Sequence, residues 1–192
     1  MSEKKLTIGI VYFSNTGYTA QLAQAISQGA QQATTTNIVE YQIGADDMVG
    51  GRFSNNQLFE QLSDCDAIAF GSPTYMGSVS APMKAFMDSS SPVWERQLWA
   101  DKLAIGFTSG AGLNGEQTCT LQTLFAFACQ HGMLWLSVDK HNLCEDKLNR
   151  MGCQIGIAAC TIDGMHANDL KTAAYLGKRL AIFAQKLQQQ TQ

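Results

Sequence analysis

The chain has 192 residues, of which 45% are hydrophobic and 15% charged, the composition of a globular unit with a sizeable core rather than a disordered chain or a membrane protein. No apolar run approaches the roughly 18 residues of a membrane helix. Thirteen Lys and Arg against sixteen Asp and Glu give a net charge of −3, and the cations form no cluster, which argues against a nucleic-acid binder. The six cysteines, at 65, 119, 129, 144, 153 and 160, make no C-x-x-C pair. A zinc site drawn from His141, Cys144, Cys153 and Cys160 matches no familiar ligand spacing, so the cysteines are expected to be small buried hydrophobes. The polar start Met1–Lys5 leads straight into a β-branched run, which reads as a strand and not as a secretion signal. A cytoplasmic protein without disulfides is expected.

Strand-like and helix-like segments then alternate to the end. Leu6–Phe13 is the first strand. The helix Gly17–Ala33 follows, with Leu22, Ile26 and Ala30 on one face. Asn37–Ile43 is the second strand, 44–56 a loop, and Gln57–Leu62 a short helix. Asp66–Gly71 is the third strand. Ser80 caps a helix with Pro82 in its first turn and with Met83, Phe86 and Met87 turned inward. Lys102–Ser109 is the fourth strand, Glu116–Gln130 a helix, and Met133–Asp139 the fifth strand. Asn168 is placed as the cap of the last helix, whose inner face carries Leu170, Ala173, Gly177, Leu180, Ala184 and Leu187. Nearly continuous apolar strands separated by helices mean a parallel sheet covered on both faces. Two segments break the pattern: 89–101, with Pro92, Trp94 and Trp99, and 139–154, polar and irregular. Such loops serve sites or subunit contacts.

In an open parallel sheet, ligands bind beyond the carboxyl ends of the strands, and three strand ends here have unusual composition. After strand one, Ser14-Asn15-Thr16-Gly17-Tyr18-Thr19 combines hydroxyls, a glycine and a helix N-terminus, a cradle for a phosphate ester that needs no Lys or Arg; an ordinary capped turn has the same composition. After strand three, Pro73-Thr74-Tyr75-Met76-Gly77 offers a fixed turn with flat and soft apolar surface for a heteroaromatic ring. After strand four, Ser109-Gly110-Ala111-Gly112-Leu113-Asn114-Gly115 contains G-x-G-x-x-G. That is the outline of a dinucleotide fingerprint, but the fingerprint normally opens its domain and only 77 residues follow Gly115. A backbone-rich wall for a ring is the better reading.

Ser-x-Thr-Gly-x-Thr after the first strand resembles the FMN phosphate loop of flavodoxin-like proteins. The run Phe70 to Gly77, the segments Met83–Asp88 and Lys102-Leu103-Ala104, Glu116-Gln117-Thr118, His131-Gly132-Met133 and Ala174–Lys178 are similar to those of WrbA-type NAD(P)H:quinone oxidoreductases. The likeness covers nearly the whole chain. It implies a single flavodoxin-like domain over 1–192, with a doubly wound five-stranded parallel sheet in the order 2-1-3-4-5 and helices on both faces. It implies noncovalent FMN, with Ser14, Asn15, Thr16, Gly17, Tyr18 and Thr19 on the phosphate. Pro73, Thr74, Tyr75, Met76 and Gly77 would lie at the ring's edge and face, and Ser109, Gly110, Ala111, Gly112, Leu113 and Asn114 on its ring and ribityl side. His131 would stand beside the flavin as the catalytic side chain, and Trp94 would border the substrate space. Tyr75-Met76 departs from the family, which often has a basic residue followed by an aromatic one.

The resemblance further implies a cycle in which NAD(P)H reduces the flavin and a quinone reoxidises it. A flavodoxin-type one-electron carrier and a non-enzymatic redox-sensing flavoprotein are the alternatives; a carrier would be expected to show a stronger acidic field than −3. Met76, Trp94, Trp99 and Met151, in or near irregular loops, lead to the expectation of a homo-oligomer, a tetramer if the family pattern holds. Neither nucleic acid nor membrane insertion is expected.

Overall fold

The computed structural model describes residues 5–190; residues 1–4 and 191–192 lie outside them. The first strand, β1 (Leu6–Phe13), is flanked by β2 (Thr36–Ile43) and β5 (Ala67–Tyr75), and β7 (Leu103–Gly110) pairs with β5, all in parallel. Between β2 and β5 stand a small hairpin, β3 (Met48–Val49) with β4 (Arg52–Phe53), and helix α2 (Asn56–Ser63). A short β6 (Ser78–Val79) folds back antiparallel on β5. The sheet runs β2-β1-β5-β7 and then to a fifth position, so the expected order 2-1-3-4-5 is the observed one.

The fifth position differs from expectation. Only Leu134–Trp135 (β8) of the run 133–139 is strand, pairing with the start of β7; the end of β7 pairs with β9 (Ile157–Cys160). The chain leaves the sheet after Val138 and returns near Gln154, whose carbonyl accepts the Val138 N–H at 2.9 Å. The Trp135 indole N–H reaches the Ile155 carbonyl at 2.7 Å. The excursion is folded around Asn149, which is buried: its N–H donates to Thr172 Oγ1 (2.8 Å), its Nδ2 to the Lys140 carbonyl (2.8 Å), and its Oδ1 accepts the Cys153 N–H (2.9 Å).

The nearly unbroken apolar sequence of β1 follows from burial on both sides. Ile8, Ile10 and Tyr12 pack with α1 (Tyr18–Ala33) and α6 (Ala167–Gln190), while Val11 faces a second core with α2, α3 (Ala81–Ser89) and α5 (Gln117–Gln130). Helices α1 and α6 touch backbone to backbone. A Cβ at Gly29 would fall on the Ala174 carbonyl, and one at Gly177 on the Ile26 carbonyl, so both positions admit only glycine.

Ser80 caps α3 as expected, its Oγ accepting the Met83 N–H at 3.4 Å. The cap of α6 is His166 instead of Asn168: the His166 Nδ1 accepts the Asn168 N–H at 3.1 Å, and its carbonyl receives the Asp169 N–H. The segment 89–101 holds a short helix, α4 (Ser91–Glu95). It does not leave both tryptophans outside: Trp99 is fully buried among Phe59, Phe70, Phe86 and Phe127, its indole donating to Ser63 Oγ at 3.2 Å. Cys65, Cys153 and Cys160 are buried, whereas Cys119 and Cys129, expected inside, are exposed on α5. Among the described residues no helix is long and apolar enough to cross a membrane, and no three His, Cys, Asp or Glu side chains converge as metal ligands.

Candidate functional site

Strands β1, β5 and β7 are neighbours in the sheet, so the three turns at their carboxyl ends converge on one edge. The first runs from Ser14 to Gly17, which has φ 85° and precedes α1 with no side-chain cap. Ser14 is buried, and its Oγ accepts the Ala20 N–H at 3.2 Å. Asn15 and Thr16 are exposed, and Gly17 and Tyr18 half-buried. The first turn of α1 has no acidic residue, so its free N–H groups and the helix dipole face the edge unopposed. Gln42 of β2 donates to the Ser14 carbonyl at 3.1 Å and holds the turn from the side.

The second turn is tight. Tyr75 pairs with Ser78, and Met76 (φ 48°) and Gly77 (φ 78°) between them both take left-handed backbone, a two-residue hairpin turn. Met76 at the tip is 103% exposed and Tyr75 44%, so the edge carries apolar surface on a short stiff hairpin. Pro73 is buried opposite Ser109. Beneath the turn, Thr120 Oγ1 of α5 donates to Thr74 Oγ1 (2.8 Å), which lies 2.9 Å from Thr108 Oγ1.

The third turn leaves β7 at Gly110 and enters α5 after Glu116, whose φ is 58°. Ala111, Gly112, Leu113 and Asn114 are exposed. Ser109 is buried and bonds to Thr19 Oγ1 at 2.9 Å. Thr19, expected on the phosphate, therefore has its hydroxyl engaged with the third turn and buried. Gln117, 5% exposed, accepts the Gly115 N–H at 3.2 Å and donates to the Gly112 carbonyl at 2.8 Å.

Seventeen of the nineteen expected positions thus belong to one edge; His131 and Trp94 do not join them within the chain. His131 follows α5 at its far end, next to the amino end of β7, where Gly132 accepts the Asp101 N–H. The 14-residue helix α5 separates it from Gln117 by about 21 Å of axial rise. The ring is 2% exposed, packed on Trp99 and Phe127. Ser90 Oγ donates to the Met87 carbonyl at 2.7 Å and so accepts from His131 Nε2–H at 2.9 Å. That fixes the proton on Nε2 and leaves buried Nδ1 with no partner among the described residues. Burial pushes the imidazole pKa down to about 4, so His131 is neutral near pH 7. Trp94, 44% exposed, borders the same flank, in a cleft of about 750 Å³ between α3–α4 and α5 that Met87, Cys119, Gln122 and His131 also line.

Gln42, Gln117, Thr108 and Thr120 were not expected at the site. Gln117 left one trace in the sequence: it occupies the stripe Gln117, Leu121, Leu124, Ala128 that α5 buries. A polar residue on that stripe, directly after a glycine turn, needs partners inside.

The residues of this edge fit a phosphate-bearing flavin: uncapped amides on a helix start for the phosphate, and an apolar hairpin and an exposed backbone turn for the ring. The comparisons with known proteins agree. The pattern of the NADPH-dependent FMN reductase family matches residues 7–139. The chain is 31% identical over 188 residues to flavodoxin FldP of Pseudomonas aeruginosa, covering 93% of this chain and 96% of that one. It is 30% identical over 191 residues to an NAD(P)H dehydrogenase (quinone) of Archaeoglobus fulgidus, covering 93% and 97%. The solved structure of a WrbA-like flavodoxin from Agrobacterium tumefaciens superposes with a TM-score of 0.75 at 35% identity, over 95% of this chain and 99% of that one. Fold and edge together define a flavodoxin-like protein. The chain belongs to the NADPH-dependent FMN reductase family, on its WrbA-type branch, and is an FMN-binding, NAD(P)H-dependent oxidoreductase.

Proposed function

We propose that the chain is a cytoplasmic NAD(P)H:quinone oxidoreductase, one flavodoxin-like domain per subunit, acting as a homotetramer with noncovalent FMN. The observation that carries this reading is the convergence of 14–19, 73–77 and 109–114 on one sheet edge that offers amides and apolar surface. FMN held there would supply the redox chemistry, a two-electron exchange between NAD(P)H and a quinone. The chain's own residues bind and orient. Ser14 to Tyr18 hold the phosphate through hydroxyls and helix-start amides. Pro73 to Gly77 and Ser109 to Asn114 flank the ring, with Tyr75 and Met76 as the apolar rim an uncharged quinone meets. No side chain at this edge is needed as a strong acid or base.

His131 lies at the far end of α5 from this edge, and Trp94 borders the cleft along that flank. In this reading Trp94 borders substrate space across a subunit junction, and His131 supports the cleft wall behind it. Exposed Trp94, Phe125 and Leu134 supply apolar surface for such assembly, and six free cysteines accord with a reducing compartment.

The test is anaerobic titration of the purified protein with FMN bound. NADH or NADPH alone is expected to bleach the flavin, and added benzoquinone to restore its colour. Flavin that bleaches only when a separate reductase is added would favour the one-electron carrier that the Pseudomonas relative's name denotes. Failure to bind FMN at all would overturn the proposal.

A further inference from the structure

The turn that spells G-x-G-x-x-G is wrapped around one side chain. The amide of Gln117 spends its oxygen on the Gly115 N–H and its nitrogen on the Gly112 carbonyl. The three glycines stand where a side chain would disturb this packing. A Cβ on Gly110 would lie 2.9 Å from Gln117 Nε2, and a Cβ on Gly112 or Gly115 would lie 3.1 Å from the other's Cα. The motif is therefore the imprint of a buried glutamine and needs no dinucleotide to explain it.

Only a side chain with a donor and an acceptor at this length closes the turn from within. While it is closed, the N–H groups of Gly112, Leu113 and Asn114 donate to no group among the described residues. We infer that Gln117 is the positioning residue of the ring wall: it holds residues 110–115 in the shape that meets a flavin ring before any flavin arrives. The inference rests on the FMN reading of the site. A turn held in its bound shape loses less freedom on binding. The effect belongs to the ring and not to the phosphate, whose cradle is held by Ser14 and Gln42 and meets the third turn at Ser109, ahead of residues 110–115.

The experiment compares wild type with Gln117→Met, which keeps length and removes both bonds, and Gln117→Glu, which keeps the acceptor alone. Hydrogen exchange on the full chain without flavin reads the turn directly. Equilibrium titrations with FMN and with riboflavin read the site, and the midpoint potential of bound flavin reads its surroundings. Gln117→Met is expected to speed exchange of the Gly115 N–H, the amide of the turn that Gln117 holds, about tenfold, leaving α1 unchanged. FMN and riboflavin should both weaken by the same factor of about ten, and the potential should shift. Gln117→Glu should fall between Gln117→Met and wild type in exchange. Should Gln117→Met not fold, Gly112→Ala disturbs the same turn from its other side and is expected to give the same pattern. Wild-type exchange in the substituted turn, or a loss for FMN with none for riboflavin, would overturn the inference. A wild-type chain that binds no flavin would sink the FMN reading, while the exchange measurement would still decide what Gln117 does to the turn.

Discussion

Thr19 and Ser109 stand 90 residues apart in the chain and share a buried hydrogen bond of 2.9 Å. One hydroxyl belongs to the first turn of α1 and the other to the last residues of β7, so this bond ties the first turn of the edge, proposed as the phosphate cradle, to the third, proposed as the ring wall. Thr19→Val or Ser109→Ala leaves the other hydroxyl buried without its partner, at a cost of about 1–3 kcal/mol. Each substitution is expected to weaken FMN binding about tenfold, read by quenching of flavin fluorescence. The double variant should lose little more than either single one, because both act through one bond. Losses that multiply would mean that the two hydroxyls act independently.

Gly29 and Gly177 reverse the usual helix rule. Alanine stabilises a helix interior by about 1 kcal/mol relative to glycine, yet here an added Cβ meets the backbone of the facing helix. Gly29→Ala and Gly177→Ala are each expected to destabilise by about 2–3 kcal/mol, seen as a lower urea midpoint with the slope unchanged. Gln24→Ala, on the exposed side of α1, should leave the midpoint within about 0.5 kcal/mol.

The two tryptophans of 89–101 separate cleanly. Trp99→Ala removes a side chain buried among four phenylalanines and should cost about 3–5 kcal/mol. Trp94→Ala should change stability by under about 1 kcal/mol and instead lower the sedimentation coefficient and the rate of quinone turnover. A Trp94→Ala protein that sediments and turns over as wild type does would remove Trp94 from both roles.

His131 predicts a pH dependence. Its pKa is about 4 when folded and about 6.5 when unfolded. Between these values the unfolded chain binds the additional proton, so stability is full above about pH 7 and falls as the pH drops toward 4. At pH 5 the loss from this group is of order 2 kcal/mol. Urea titrations at pH 7.5 and 5 should show it, and His131→Phe should flatten the difference between the two pH values.

What the sequence made legible was local. The apolar run Leu6–Phe13 followed by a helical stripe, and the Ser80-x-Pro82 start of α3, needed no partner to be read. The fifth strand was not legible, because Met133–Val138 is as apolar as a full strand and nothing inside it marks the exit. The exit is set by Asn149 and by the Trp135 bond to Ile155, both made with residues far along the chain. Trp99 was misplaced for the same reason: its irregular neighbours conceal five ring partners from four other elements. The three turns were readable as compositions, but the braces between them, Thr19 to Ser109 and Thr120 to Thr74, exist only once the sheet order brings β1, β5 and β7 together.

The interrupted fifth strand has a consequence for how the polypeptide can be cut and rejoined. Residues 138 and 154 meet at one hydrogen bond, and between them Leu143 stands 84% exposed at the outside of the excursion. A protease nick there would divide the chain into a large piece and a smaller one bearing β9 and α6. The smaller piece stays clasped through its strand pairing to β7 and the close seam of α6 on α1. The same spot is therefore a natural place to open new termini or to graft a foreign segment, since the edge formed by the three converging turns draws no backbone from it.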